Sequence, residues 1–320
     1  MQDFQEFSFN DFSQWLKGHD HPVYHAKQVF EWVYSKGVRD WSAMTNLASP
    51  LRQALSSAFH LDVLKEEAMD RVSDTAVDIT YRLRDGRQTH TIAKPGVRKG
   101  ELHLSSQIGR SADCCFLPLG RAKWTRHLRA AEIIDQALLT KQRLGKGGRL
   151  FFDGVGEPLA NARHLVKAVS ALCDSQRGGF APRQVHIATL GLVSGLEALL
   201  TLKLPLSLIV ELHAPNQRVR QGLIPIAKKN RMDALMPLLH RFAQQTGQAV
   251  TYRYCLIRGV NDSSRDANEL ARLLRKTRAH VELQTLPSHH VKKYQPSVKK
   301  QIKDFRNVLF KEKIAHRFLG

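Results

Sequence analysis

Thiols, strand-end carboxylates and a large excess of cations are the chemically capable residues of this 320-residue chain. The stretch SSQIGRSADCCFLPLG, residues 105–120, carries Cys114 and Cys115 side by side, while Cys173 and Cys255 stand alone. Such spacing makes neither a disulfide framework nor a zinc site. It fits a reducing, cytoplasmic compartment. Cys173, in an apolar helical stretch, and Cys255, in a strand-like run, are expected to act as small hydrophobes. His289 and His290 adjoin Lys292 and Lys293 and read as part of a basic loop rather than a metal site.

GVGEPLAN, 154–161, follows a strand-like run. Its glycines permit close backbone approach to a ligand, and Glu157 could hold an amine. ATLGLVSG, ELHAPNQRVRQGLIPIAKK and IRGVND follow three further apolar runs. One such turn is only a loop. Four at successive strand ends point to a ligand site at one end of a sheet.

Lys and Arg number 49 against 29 Asp and Glu, a formal charge of +20. An excess of that size attracts polyanions and favours nucleic acid as partner. The charge is clustered: from Lys292 to Gly320 there are nine basic residues and two acidic ones. Lys292, Lys293, Lys299 and Lys300 are the candidate phosphate contacts. Tyr294 among them could stack on an unpaired base or simply fill space.

The elements that must position these residues change character along the chain. DFSQWLKG (11–18), HAKQVFEWVYSKG (25–37) and SPLRQALSSAF (49–59) have helical periodicity, with Gly18 and Gly37 as stops. TAVDITYRL and RQTHTIAK flank RDGR, a hairpin signal. PGVRKGE, 95–101, reads as a domain joint. Strand-like runs then fall at 102–106, 149–153, 184–190, 206–212, 250–257 and 280–286, with helical stretches between them. That alternation predicts an α/β fold with a parallel sheet, able to curl into part of a β/α barrel with its chemistry at the carboxyl ends of the strands. The polar, acidic start MQDFQEFSFNDF carries no signal-peptide pattern. The most apolar stretch, 192–212, is interrupted by Glu197, Lys203, Pro205 and Glu211, so no membrane span is expected.

HAKQVFEWVYSKGVRDWSAMTNL, GVGEPLAN, LHAPNQRVRQGLIPIAKK and LIRGVND together resemble the RlmN/Cfr family of radical S-adenosylmethionine enzymes, which methylate an adenine of large-subunit ribosomal RNA. The resemblance runs in order from about residue 20 to 310. It implies a small N-terminal RNA-binding domain, helical with a β-hairpin, at 1–97. A partial (β/α)6 TIM-like barrel of the radical-SAM type with a basic C-terminal segment would follow at 98–320. By the same resemblance Gly156, Glu157, Leu212 and His213 would bind cofactor. The family cofactors are S-adenosylmethionine and a [4Fe–4S] cluster, whose three iron-bound thiolates come from a Cys-x-x-x-Cys-x-x-Cys loop.

In this chain those loop positions read Arg110, Cys114 and Leu117, with Cys115 out of register. An arginine offers no lone pair. Four other family positions differ as well. His90 stands at the general-base glutamate, Ala188 and Glu211 at serines, and Pro287 near a cofactor-contacting asparagine. The chain reaches Gly320 without the family's C-terminal relay cysteine. From these departures we expect a non-catalytic relative that binds ribosomal RNA or the large ribosomal subunit, as an assembly or regulatory factor, with no cofactor. The alternatives are an active ribosomal RNA adenine methyltransferase with unconventional ligands, or a small-molecule or metal-binding module in the altered barrel. We further expect Arg110 to enter the barrel mouth and pair with Glu157 or Glu211, with Asp113 as a local competitor.

Overall fold

The computed structural model describes residues 1–95, 100–112, 114–116, 123–144, 148–275, 277–287 and 291–319. They form two compact units, one comprising 1–108, 126–155 and 163–185, the other 109–125, 156–162 and 186–320.

The first unit begins with β1 (Gln2–Asp3). Ser8 caps α1 (Phe9–Gly18) in a reciprocal capping box with Asp11, which satisfies two donors that the helix start leaves without partners. Helix α2 (His25–Phe30) passes into a π-helical turn through Ser35. The helix expected over 25–37 is therefore shorter, and Gly37 follows at φ +67°. Pro50 occupies the first turn of α3 (Ser49–Ala58), where its missing N–H has no intrahelical partner to lose. Strand β2 (Phe59–His60) pairs parallel to β1. Phe4 sits at the centre of this core, edge-on to Phe12, Phe30, Trp41 and Phe59 at centroid distances of 5.0–5.7 Å. That is the geometry the ring quadrupoles favour.

An antiparallel meander follows: β3 (Leu64–Ser73), β4 (Ala76–Leu83) and β5 (Gln88–Lys94). The hairpin read at RDGR is β4–β5. Strand β3 was absent from the sequence reading because LKEEAMDRVS lacks apolar alternation; it lies at the edge of the meander, exposed from its second residue on. Charge there blunts edge-to-edge pairing. Strand β6 (Glu101–Leu104) runs antiparallel to β5. The short strands β7 (Gln107–Ile108) and β8 (Arg126–His127) pair with each other. Helix α4 (Ala130–Leu144) leads to β9 (Arg149–Phe152), which is parallel to β6, and α5 (Ala162–Cys173) follows. The boundary expected at 97/98 lies outside the described residues.

The second unit alternates regularly: β10 (Val185–Thr189), α6 (Val193–Leu200), β11 (Ser207–Glu211), α7 (Gln217–Leu223), α8 (Met232–Thr246), β12 (Val250–Leu256), α9 (Ser264–Leu274), β13 (Ala279–Thr285), α10 (Lys299–Lys311) and β14 (Ala315–Phe318). Strands β10 to β14 are neighbours in chain order, every pair parallel. All six strands expected after the joint are present, as β6, β9, β10, β11, β12 and β13. Strand β14 adds one that AHRF did not announce. The fold is α/β with a large, mostly parallel sheet. Among the described residues no helix is long and apolar enough to cross a membrane.

Candidate functional site

Glu157 opens the turn Pro158–Asn161 and is 3% exposed. Its Oε1 accepts hydrogen bonds from Leu159 N at 3.0 Å and Thr189 Oγ1 at 2.5 Å; Oε2 accepts from Leu190 N at 2.8 Å. Burial is the largest influence on this carboxyl and pushes it up to about 7, against the pull of those bonds and with the help of nearby Glu211. A buried acid poised near neutrality marks a functional candidate. Gly156 before it holds φ +104°, a conformation open to glycine. A Cβ at Gly195 would lie 2.3 Å from Leu159 O, so α6 meets the Glu157 turn backbone to backbone.

Arg220 is fully buried on α7. It donates to Leu190 O and, at 3.2 Å, to Asn230 O. The Leu190 peptide is thus held from both sides, its N–H by Glu157 and its C=O by Arg220. Burial brings the guanidinium down to about 10, opposed by Cys114 and Glu157.

Glu211, Arg253, Glu282 and Arg317 stand directly opposite one another on β11, β12, β13 and β14. Arg253 donates to Glu211 at 2.9 Å and to Glu282 at 3.2 Å, and Arg317 closes the row on Glu282 at 3.1 Å. His213 Nε2 lies 3.0 Å from the other oxygen of Glu211. Its Nδ1 accepts from Cys255 N at 3.0 Å, which fixes the neutral tautomer with its proton on Nε2. Its partners hold Glu211 below the ordinary carboxylate range despite burial, the His213 hydrogen bond foremost. His213 itself has φ +52°, and Asn261 Nδ2 clamps its carbonyl at 2.7 Å. Leu212 and His213 are both buried.

In the thiol loop Cys114 and Phe116 are buried with Leu190, Leu223, Cys255 and Ile257, while Cys115 is exposed. Phe116 meets His213 edge-on at 5.0 Å. Burial pushes Cys255 up to about 12 and Cys173 up to about 11. Arg110 is half-buried and bridges Lys123 through its backbone. The expected pairing of Arg110 with Glu157 or Glu211 is corrected: Glu211 takes Arg253, which strand register sets directly opposite, and Glu157 accepts from Leu159, Thr189 and Leu190. Asp113, Leu117, His289 and His290 lie outside the described residues. Lys292, Lys293, Lys299 and Lys300 are all exposed, the last two opening α10. Tyr294 is half-buried against the same apolar cluster, with Lys293 Nζ 5.8 Å from its ring centre.

Residues 2–61 match the family model described as the ribosomal RNA large subunit methyltransferase N-terminal domain. The chain is 32% identical to a probable dual-specificity RNA methyltransferase RlmN 2 of Protochlamydia amoebophila, over 98% of this chain and 89% of that protein. The chain belongs to the RlmN family. It is also 36% identical to a probable RlmN of Symbiobacterium thermophilum over 82% of this chain and 72% of that protein. The crystal structure of a radical SAM methyltransferase from Sphaerobacter thermophilus superposes with a TM-score of 0.88 at 28% identity, covering 99% of this chain and 95% of that one.

These likenesses correct two expectations. The reading as a non-catalytic RNA-binding relative does not stand against full-length similarity to proteins named as RNA methyltransferases. With it falls the expectation of no cofactor, since the RlmN family and its radical SAM neighbour imply S-adenosylmethionine and a [4Fe–4S] cluster.

The residues present suit the two groups unequally. Glu157 offers a buried, near-neutral carboxyl beside Gly156, which suits the amine of S-adenosylmethionine. The loop does not suit a cluster held by three thiolates. Cys114 alone stands in register, Arg110 and Leu117 bring no donor, and among the described residues no three His, Cys, Asp or Glu side chains gather as a metal-holding group.

The sequence reading missed Thr189, Arg220, Arg253 and the clamping role of Asn261. Arg220 and Asn261 lay inside quoted motifs, and their burial was the hidden part. Arg253 carried a signal in TYRYCL, a charge in an apolar strand run. Such a charge needs a partner from another strand.

Proposed function

We propose that this chain is an RNA methyltransferase acting on RNA of the large ribosomal subunit in the cytoplasm, with S-adenosylmethionine as methyl donor. The observation that carries the proposal is the likeness over 98% of the chain to a named RNA methyltransferase. In this reading Glu157, as carboxylate, binds the donor's amine, and Gly156 lets the donor approach the backbone. Leu212 and His213 shape the neighbouring wall, stiffened by Asn261 and by the Glu211–Arg253 pair. Arg220 holds the Leu190 peptide so that Glu157 keeps its orientation. Lys292, Lys293, Lys299 and Lys300 contact phosphates. Bound S-adenosylmethionine would supply the methyl group.

The test is anaerobic reconstitution with iron and sulfide, followed by transfer of labelled methyl from S-adenosylmethionine to protein-free large-subunit RNA. Donor affinity is measured in parallel by calorimetry. Label in adenosine, with donor binding weakened in Glu157→Ala, is the expected result. Absence of both donor binding and transfer would overturn the proposal.

A further inference from the structure

A groove of about 540 Å³ lies at the amino ends of β13 and β14 in the second unit. Arg275, Arg278, Lys311 and Lys313 line it, with Ile314 on its floor. Glu312 is the lining acid, and it is already paired with Arg275 at 2.5 Å. Among the described residues no carboxylate pairs with Arg278, Lys311 or Lys313, and all three are exposed. Phe310, which directly precedes the lining residue Lys311, is 79% exposed while Ile302, Phe305 and Leu309 of the same helix are buried. Lys299, Lys303, Arg306 and Phe310 recur at helical spacing, and all are exposed. One face of α10 is therefore a basic stripe that ends in an aromatic ring next to a basic groove.

Cations tracking a groove hold a phosphate backbone, and an exposed ring accepts an unstacked base. We propose that the α10 face and this groove form a docking surface for single-stranded RNA, with Phe310 as the base-stacking residue and Arg278, Lys311 and Lys313 as phosphate contacts. The proposal rests on the RNA-substrate reading above. It adds a surface at the strand ends opposite to those that carry Glu211 and the Leu190 turn. No apolar partner is implied, because Phe310 is set among charges rather than in an apolar patch.

The test is fluorescence anisotropy of the full chain with a short, labelled, unstructured RNA across a salt series. The triple variant Arg278→Gln, Lys311→Gln, Lys313→Asn neutralises the groove; Asn suits the φ of +57° at position 313. It should bind more weakly, with a log–log salt slope shallower by about 2. Phe310→Ala should lose about tenfold in affinity with its slope unchanged, and Phe310→Trp should restore binding. Should the triple variant not fold, the Phe310 pair decides. Variants that all bind as the parent does overturn this inference alone. A parent that binds no RNA overturns the RNA-substrate reading with it.

Discussion

Arg253 Nη1 donates to Glu211 Oε1 at 2.9 Å, and the two residues stand directly opposite each other on adjacent parallel strands. The same guanidinium reaches Glu282 on its other side. One cation therefore joins two largely buried carboxylates, of which Glu282 is also held by Arg317 and Glu211 by His213. Removing Arg253 takes one partner from each acid at once and leaves Glu282 with Arg317 and Glu211 with His213, so the cost stays below that of stripping a buried pair bare. Arg253→Ala should lower unfolding stability by about 1–3 kcal/mol. Arg110→Ala, at a half-buried position outside the Glu211–Arg253 pair, should lose clearly less. Denaturant titration of both variants checks this.

Glu157 links the site to pH. Its carboxyl rises from 4.5 to about 7 on folding. Between those values the folded chain holds a proton that the unfolded chain has released. Stability therefore falls as pH rises through that window, by about 3 kcal/mol in all, and is level above it. Glu211, held low, stays ionised throughout. Unfolding midpoints measured across the window should show the slope in the parent and lose it in Glu157→Gln. Affinity for S-adenosylmethionine should run the other way, rising from about pH 6 to about pH 8 as the carboxylate forms.

Gly195 gives α6 its close approach to the turn after Glu157. The Cβ of alanine would sit 2.3 Å from Leu159 O, and backbone must move. Gly195→Ala should cost about 1–3 kcal/mol of stability. Because Leu159 N donates to Glu157, it should also weaken donor binding in calorimetry. Gly222→Ala, where nothing lies within 4 Å, is the matched control and should bind donor as the parent does.

The four lysines read from sequence make a separate electrostatic prediction. Neutralising Lys292, Lys293, Lys299 and Lys300 together should weaken RNA binding and flatten the log–log salt slope by about 3, if each meets one phosphate of a single strand. Anisotropy at several salt concentrations measures both. Unchanged affinity and slope would make the segment a solvated surface.

The sequence made the parallel strands legible because runs such as SLIVE and VTYRYCL stand out between helical stretches, and GVGEPLAN marked Glu157 by its glycines. It hid β3, whose residues are polar because they sit on an exposed edge, and β14, which is only four residues long. The ion row was hidden for another reason. Glu211, Arg253, Glu282 and Arg317 are far apart in sequence, and only strand register brings them together. Arg110 was expected beside these acids because it stands where the family has a cluster ligand, whereas the pairing of Glu211 follows strand register. The non-catalytic expectation came from departures at single positions, Arg110 and Leu117 foremost, set against a family resemblance that the sequence already carried from about residue 20 to 310.

The central claim is that the chain methylates large-subunit RNA. The most direct measurement is mass spectrometry of nucleosides from that RNA, taken from cells that lack their own RlmN-type enzyme and express this chain. Methylated adenosine should appear with the parent protein and be lost with Glu157→Ala. Unmodified adenosine in cells where the parent protein is soluble and bound to the large subunit would contradict the account.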